Sequence, residues 1–344
     1  MKTFLITFFI YFQCYFSVAQ VNYFIYKVVN QMHLEGDRGW DYLSIDTKTH
    51  LLYISHGTMV QVLDVNSGKL VGTITNTNGV HGIALAPTIN KGFISNGQDS
   101  SVTVFDLQTL KTITKVPVTG RNPDAILYDP FTSKVFVFNG RSNNATVLNG
   151  NSNEVIATIP LSGKPEFSVS DGKGKIYVNI EDKSMVDEIN PVTMKVEKEW
   201  SVAPGVEPSG LALDNINHRL FSVCDNGLMV IVDAEDGHVI STVPIGDRVD
   251  GAAFDPLLRR AFSSNGDGTL TVVQEKDANT FKVLENIITQ KGARTVTVDT
   301  ITHHLYLPTA EFGVTPEPTN DNPHPRPSIK PGSFVVLDVM PDSK

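Results

Sequence analysis

Residues 210–243 read GLALDNINHRLFSVCDNGLMVIVDAEDGHVISTV. Four short apolar runs stand out in this stretch, Gly210 to Leu213, Arg219 to Val223, Leu228 to Val232 and Val239 to Val243, with turn residues such as Asp214-Asn215 and Asp225-Asn226-Gly227 between them. Runs this short, rich in β-branched side chains and bounded by Asp, Asn and Gly, are strands joined by tight hairpins. A helix needs a longer segment with an apolar stripe every three to four residues. The stretch therefore reads as one four-stranded antiparallel unit.

The unit recurs. An aromatic residue opens its second strand at Tyr53, Phe93, Phe136, Tyr177, Phe221, Phe262 and Tyr306, spaced by 40 to 44 residues. That period suits a propeller blade. Turn chemistry keeps the same register: Asp46, Asp129, Asp171, Asp214, Asp255 and Asp299 end first strands, and Asp64, Asp106, Asn149, Asn190, Asp233 and Asp338 end third strands. A short carbonyl side chain at such a position bonds the backbone two residues on and closes the hairpin. These residues are structural, and none is a site candidate.

The seventh unit reaches its third strand at Phe334 to Leu337 and has no fourth. Phe24 to Val29 precedes the first full unit as Leu70 to Ile74 precedes the second, so it can supply the missing strand. The expected fold is all-β, a seven-bladed β-propeller closed by its N-terminal strand, which also removes an exposed sheet edge. Residues 20–344 then form one domain.

Tyr53-Ile54-Ser55-His56, Phe93-Ile94-Ser95-Asn96, Phe136-Val137-Phe138-Asn139 and Phe262-Ser263-Ser264-Asn265 resemble the Tyr-Val-Thr-Asn repeat of YVTN, or YncE-like, β-propellers. The resemblance covers nearly all of the chain after the leader and implies an exported repeat protein without a general catalytic assignment. Four units depart from it, with His56, Ile180, Cys224 and Thr309 at the asparagine position.

At the N-terminus, Lys2, an apolar stretch from Phe4 to Phe16 and Ser17-Val18-Ala19 have the form of a signal peptide over residues 1–19. The apolar run is short of the roughly 20 residues that span a bilayer, and no later segment qualifies. A periplasmic or secreted protein is expected. Without the leader, 27 basic face 37 acidic side chains, a net charge of −10, and Cys224 is the single cysteine. That sign disfavours nucleic acid and anionic membranes as partners. One cysteine forms no internal disulfide, and a domain of this length needs none.

Aligned on their strand-ending residues, the units place Asp41, His81, Asp124, Glu166, Ser209, Asp250 and Arg294 at one equivalent position. In a propeller the first strand lines the channel, so these seven converge on one mouth. Second-strand ends, including His56, Asn96, Asn139, Asn179, Cys224 and Asn265, are expected on the same face. Asp41, His81, Asp124, Glu166, Asp250, Arg294, His56, Asn96, Asn139 and Asn265 are the candidate ligand-binding residues.

Carboxylates crowded at a narrow mouth repel one another, which raises some of their pKa values or favours a bound cation. Arg294 lies between Asp250 and Asp41 in blade order and neutralises that side. His81, Asp124 and Glu166 remain as a sector without an evident cation, and imidazole plus carboxylates suit a divalent metal. Such rings also simply hold water.

Between the second and third strands of the last unit the chain inserts residues 310–332, with six prolines. Proline-rich chain is stiff and extended, and long loops are commonly functional covers. A lid or partner-binding arm carrying Glu311, His324 and Arg326 is one reading, and a strap packed on the neighbouring blade is the other. Cys224 reads as a buried thiol, Trp40 as packing and His303-His304 as an ordinary surface turn.

No His-Glu-x-x-His, Gly-x-Ser-x-Gly, phosphate-binding glycine loop or paired-cysteine spacing occurs. The leading expectation is a binding or scaffold protein that captures a small ligand or a protein partner at the mouth. The alternative is a metal-dependent hydrolase of the lactonase kind.

Overall fold

The computed structural model describes residues 25–36, 38–319 and 325–342; the expected signal peptide lies outside them. Seven four-stranded antiparallel sheets form a seven-bladed β-propeller. Among the described residues there is no α-helix, only short 3-10 turns at Pro87–Ile89 and Glu181–Lys183, and no helix is long and apolar enough to cross a membrane.

Blade five illustrates the plan: Pro208–Asp214, Arg219–Cys224, Leu228–Asp233 and Val239–Pro244 pair in order from the channel outward. All seven anchor aromatics are at most 2% exposed. They pack between blades, as where Phe221 stacks on Phe254 of the next blade at 5.1 Å between centroids. Burying a side chain of this size contributes about 1.5–3 kcal/mol, so the repeated aromatic gives each blade its hold on its neighbour.

The turn residues act as read. Asp46, Asp129, Asp214 and Asp299 accept backbone N–H groups two or three residues on, as do Asp64, Asp106, Asn149, Asn190 and Asp233. Asp338 differs. It lies inside the strand Val335–Asp342 and pairs with Asn30 of Ile25–His33, so no hairpin closes there. Both strands are longer than the alternation suggested because each continues against the other. The seventh sheet therefore holds Ile25–His33 at its outer edge, followed inward by Val335–Asp342, Leu305–Thr309 and Thr297–Val298.

His303 and His304 are clasps rather than plain surface residues. His303 Nδ1 lies 2.6 Å from Asp255 Oδ2 of blade six, and His304 Nδ1 lies 2.6 Å from Asp338 Oδ1.

Candidate functional site

The first strands of blades one to six each carry an extra residue where the mouth begins. In blade one, Trp40 pairs with His56 and Leu43 with Ile54, leaving Asp41 and Tyr42 opposite Ser55 alone. The same two-against-one count recurs at His81-Gly82, Asp124-Ala125, Glu166-Phe167 and Ser209-Gly210, and blade six carries its extra residue at Asp250. A bulge bends the strand and re-aims its side chains, which brings equivalent residues together at the rim. Gly210 shows why small residues follow: a Cβ there would lie 2.6 Å from the Ala252 backbone N of the next blade.

Side chains from neighbouring blades fix the rim backbone. Ser95 Oγ donates to the Asp124 carbonyl, Asn179 Nδ2 to that of Ser209, Ser264 Oγ to that of Arg294 and Thr295 Oγ1 to that of Asp41. Asn179 is thus a rim support. Its strand ends one residue later, at Ile180, opposite Pro165.

Around the ring the charges pair unevenly. His81 Nδ1 lies 2.6 Å from Asp41 Oδ2 and 3.6 Å from Asp124 Oδ1. Arg294 bonds Asp250 and stands 3.7 Å from Asp41 Oδ1, while Ser209 Oγ donates to Asp250 Oδ1 at 2.7 Å. The expected neutralisation by Arg294 is present. Lys164, two residues before the rim, lies 2.8 Å from Glu166 Oε1 and also bonds Glu181. The sector therefore has a cation that the alignment did not reveal.

Burial works against the charge on His81, but the bond to Asp41 and the field of Asp124 outweigh it and push the imidazole up to about 9. Burial raises the Asp124 carboxyl against the pull of His81. Glu166 is raised by burial and then by Asp124, with Lys164 opposing. Asp250 is raised by burial, with Arg294 opposing. Each of these three rim carboxyls thus holds its proton more tightly than a free carboxyl does.

Of the expected metal trio, His81 and Asp124 come together and Glu166 does not join them. Asp41 takes its place: Asp41, His81 and Asp124 each offer a ligand atom, all within 4.8 Å of one another. Glu166 is instead held by Lys164. His56, Asn96, Asn139 and Asn265 are a correction of a different sort, since all four are fully buried. Asn96 donates to Ser101 and Thr103, Asn139 to Asn144 and Thr146, and Asn265 to Thr269 and Thr271, while His56 Nδ1 meets Gln61 Oε1 at 2.9 Å. They tie second strands to third strands and do not line the mouth.

The floor was not foreseen. Tyr42 follows Asp41 and Phe167 follows Glu166, three blades apart, and their rings meet at 5.1 Å across the channel. Tyr42 is 6% exposed. Burial, then the charge of Asp124 and those of Asp41, Asp250 and Glu166, raise its phenol well above the ordinary value. Beyond the pair the channel continues as a cavity of about 420 Å³ lined by inner-strand residues such as Leu127, Ser168, Leu213 and Phe254. The mouth is a shallow cup with an aromatic floor.

The proline-rich insertion is anchored at its base. Phe312 and Ile329 bridge in antiparallel fashion, Lys330 Nζ pairs with Glu311 Oε2 at 2.9 Å, and Phe312 packs on Trp40 at 6.0 Å between centroids. Trp40 is packing, as read. Glu311 belongs to the loop base, Arg326 is exposed, and His324 lies outside the described residues. Cys224 is buried, and burial pushes its thiol up to about 12.

No family model matches the chain, and no curated protein matches it. Solved structures do. The chain is similar to Kuenenia stuttgartiensis hydrazine synthase, with 16% identity over 80% of this chain and 94% of that one and a TM-score of 0.71. It is also similar to U3-55K, with 9% identity over 91% and 98% of the two chains and a TM-score of 0.72. At these identities the likeness shows the fold alone, and a fold does not by itself fix a function.

Proposed function

We propose that the chain is an exported propeller of the YVTN kind that captures a small ligand, alone or carried by a protein partner, in the cup at its channel mouth. The observation that carries this reading is the floor: Tyr42 and Phe167 meet directly beneath the carboxylate rim, which makes the mouth a concave site with convergent polar groups. Thermal unfolding with small cations, neutral polyols and anions, comparing wild type with Asp124→Asn, tests it. A cation or polyol should stabilise the wild type and not the variant. No stabilisation by any compound, or stabilisation that survives Asp124→Asn, overturns the reading.

The Asp41, His81 and Asp124 set supports a second reading, a metal-dependent hydrolase of the lactonase kind. One nitrogen and two carboxylates suit several divalent metals, which would polarise a carbonyl and leave Glu166 to carry protons. Because His81 Nδ1 faces both carboxylates, an ion there competes with the Nδ1 proton. Metal analysis by mass spectrometry after remetallation decides it: a metal bound by the wild type and lost in Asp124→Asn supports the reading, and an empty wild type ends it.

A further inference from the structure

We infer that the face opposite the cup is a docking surface for a zwitterionic lipid bilayer. The cup then points away from the membrane, and the inference stands whether or not the cup holds a ligand.

The first argument comes from the repeat. Five successive blades, three to seven, each expose a large apolar side chain on this face: Phe131, Val192, Ile216, Leu257 and Ile301, all between 54% and 72% exposed. Each sits in a hairpin turn, a place that Gly, Pro, Asn, Asp and Ser ordinarily fill. Val192, Ile216, Leu257 and Ile301 stand two residues past the Asn or Asp that closes the turn and donate their backbone N–H to it. That bond fixes the main chain and leaves the side chain at the tip. Phe131 holds the same position after Asp129. The repeat thus sets five apolar tips along an arc on one side of the ring, where a flat apolar phase meets them together. Among the described residues the turns of the cup face expose only Val206 in this way, and the proline-rich insertion Val314.

The second argument is where the chain enters the fold. Leu305, the first strand residue after the turn that carries Ile301, pairs with Val339. Met340 to Asp342 run on past it and pair with Lys27 to Ile25. The chain therefore reaches the propeller from the side of the apolar arc. The stretch Phe4 to Phe16 that precedes it contains no charged residue. A leader entering a bilayer there brings the arc to its surface, and the arc keeps that contact once the leader is removed.

Charge selects the headgroup. Lys48 and Lys173 hold the equivalent turn position in blades one and four. A lysine there lays its stem along apolar surface while its ammonium reaches the headgroup phosphates. The net charge of −10 without the leader works against an anionic surface, so the attraction rests on buried apolar area and zwitterionic lipid.

Flotation of residues 20–344, which retain every described residue, with phosphatidylcholine vesicles on a density gradient tests this. The wild type should rise with the vesicles. Ile216→Ser, Leu257→Ser and Ile301→Ser combined should weaken partitioning about tenfold or more. Val71→Ser with Ile113→Ser removes comparably exposed apolar side chains from the outer strands of blades one and two and should leave partitioning unchanged. Near-ultraviolet circular dichroism shows both variants folded. A wild type that does not float, a triple variant that floats as well as wild type, or an equal loss in the outer-strand variant overturns the inference. Sedimentation equilibrium covers the other occupant: self-association of the wild type that the triple variant lacks, without flotation, assigns the arc to a second copy and overturns the membrane.

Discussion

Raising the pH should strip the proton from His81 and take a measurable part of the fold's stability with it. The imidazole rises from an ordinary 6.5 to about 9, so the folded chain holds that proton more tightly than the unfolded one. A raised histidine contributes fully below its unfolded value near 6.5 and loses the contribution as pH climbs through about 9. At about 1.4 kcal/mol per pH unit the window corresponds to about 3 kcal/mol, an upper figure because the side chain is 27% exposed. Asp124 and Glu166, raised by burial, act in the same sense at lower pH, so a falling curve by itself does not isolate His81. Urea unfolding of wild type and His81→Gln at pH 6 and pH 10 does: the stability gap should close by about 3 kcal/mol. Proton NMR of the imidazole should give a midpoint near 9 that falls by about one pH unit or more in Asp41→Asn. A gap independent of pH, or a wild-type midpoint near 6.5, would falsify the assignment of the His81 proton to the Asp41 contact.

Three further outcomes follow from the geometry. Arg294→Met leaves Asp250 and Asp41 without their shared cation; breaking a buried pair costs about 3–5 kcal/mol and the half-exposed guanidinium less, so urea unfolding should show a loss of about 1–3 kcal/mol, partly recovered in Arg294→Lys. In Gly97→Ala the new Cβ would lie 2.6 Å from His81 Nε2, and the His81 NMR midpoint should drop while the far-ultraviolet circular dichroism stays unchanged. Asn139→Ala removes the bonds to Asn144 and Thr146 and should cost about 1–3 kcal/mol of stability in urea unfolding with the Asp124-dependent ligand stabilisation unaltered; a change in that stabilisation would return Asn139 to the mouth.

The blades were legible because their two signals are local and repeated. An aromatic every 40 to 44 residues and a turn-closing Asp or Asn survive in nearly every unit, and seven copies make the register hard to miss. The same register brought Asp41, His81, Asp124, Glu166, Ser209, Asp250 and Arg294 to one level. Pairing within that level was not legible, since whether Lys164 turns toward Glu166 depends on loop geometry that alternation does not encode. The bulges were hidden for a related reason: an extra residue in a strand changes where side chains point without changing the apolar pattern. The buried asparagines had a readable signal. Asn96, Asn139 and Asn265 are each followed four to seven residues on by Ser, Thr or Asn acceptors, which marks them as hairpin ties. Tyr42 and Phe167 looked like any other apolar inner-strand residues, because contact between blades one and four exists only once the blades surround a channel.

The hydrogen bonds by which one blade grips the rim backbone of the next, from Ser95, Asn179, Ser264 and Thr295, make the aperture a mechanical sum. Seven wedges must together fill one full turn, so a wedge that widens forces the other six to narrow or the opening to dilate. A substitution deep between two blades, far from any rim carboxylate, then alters the spacing of all seven rim residues at once. The cup behaves like the iris of a lens, its diameter set at the periphery and read out at the centre.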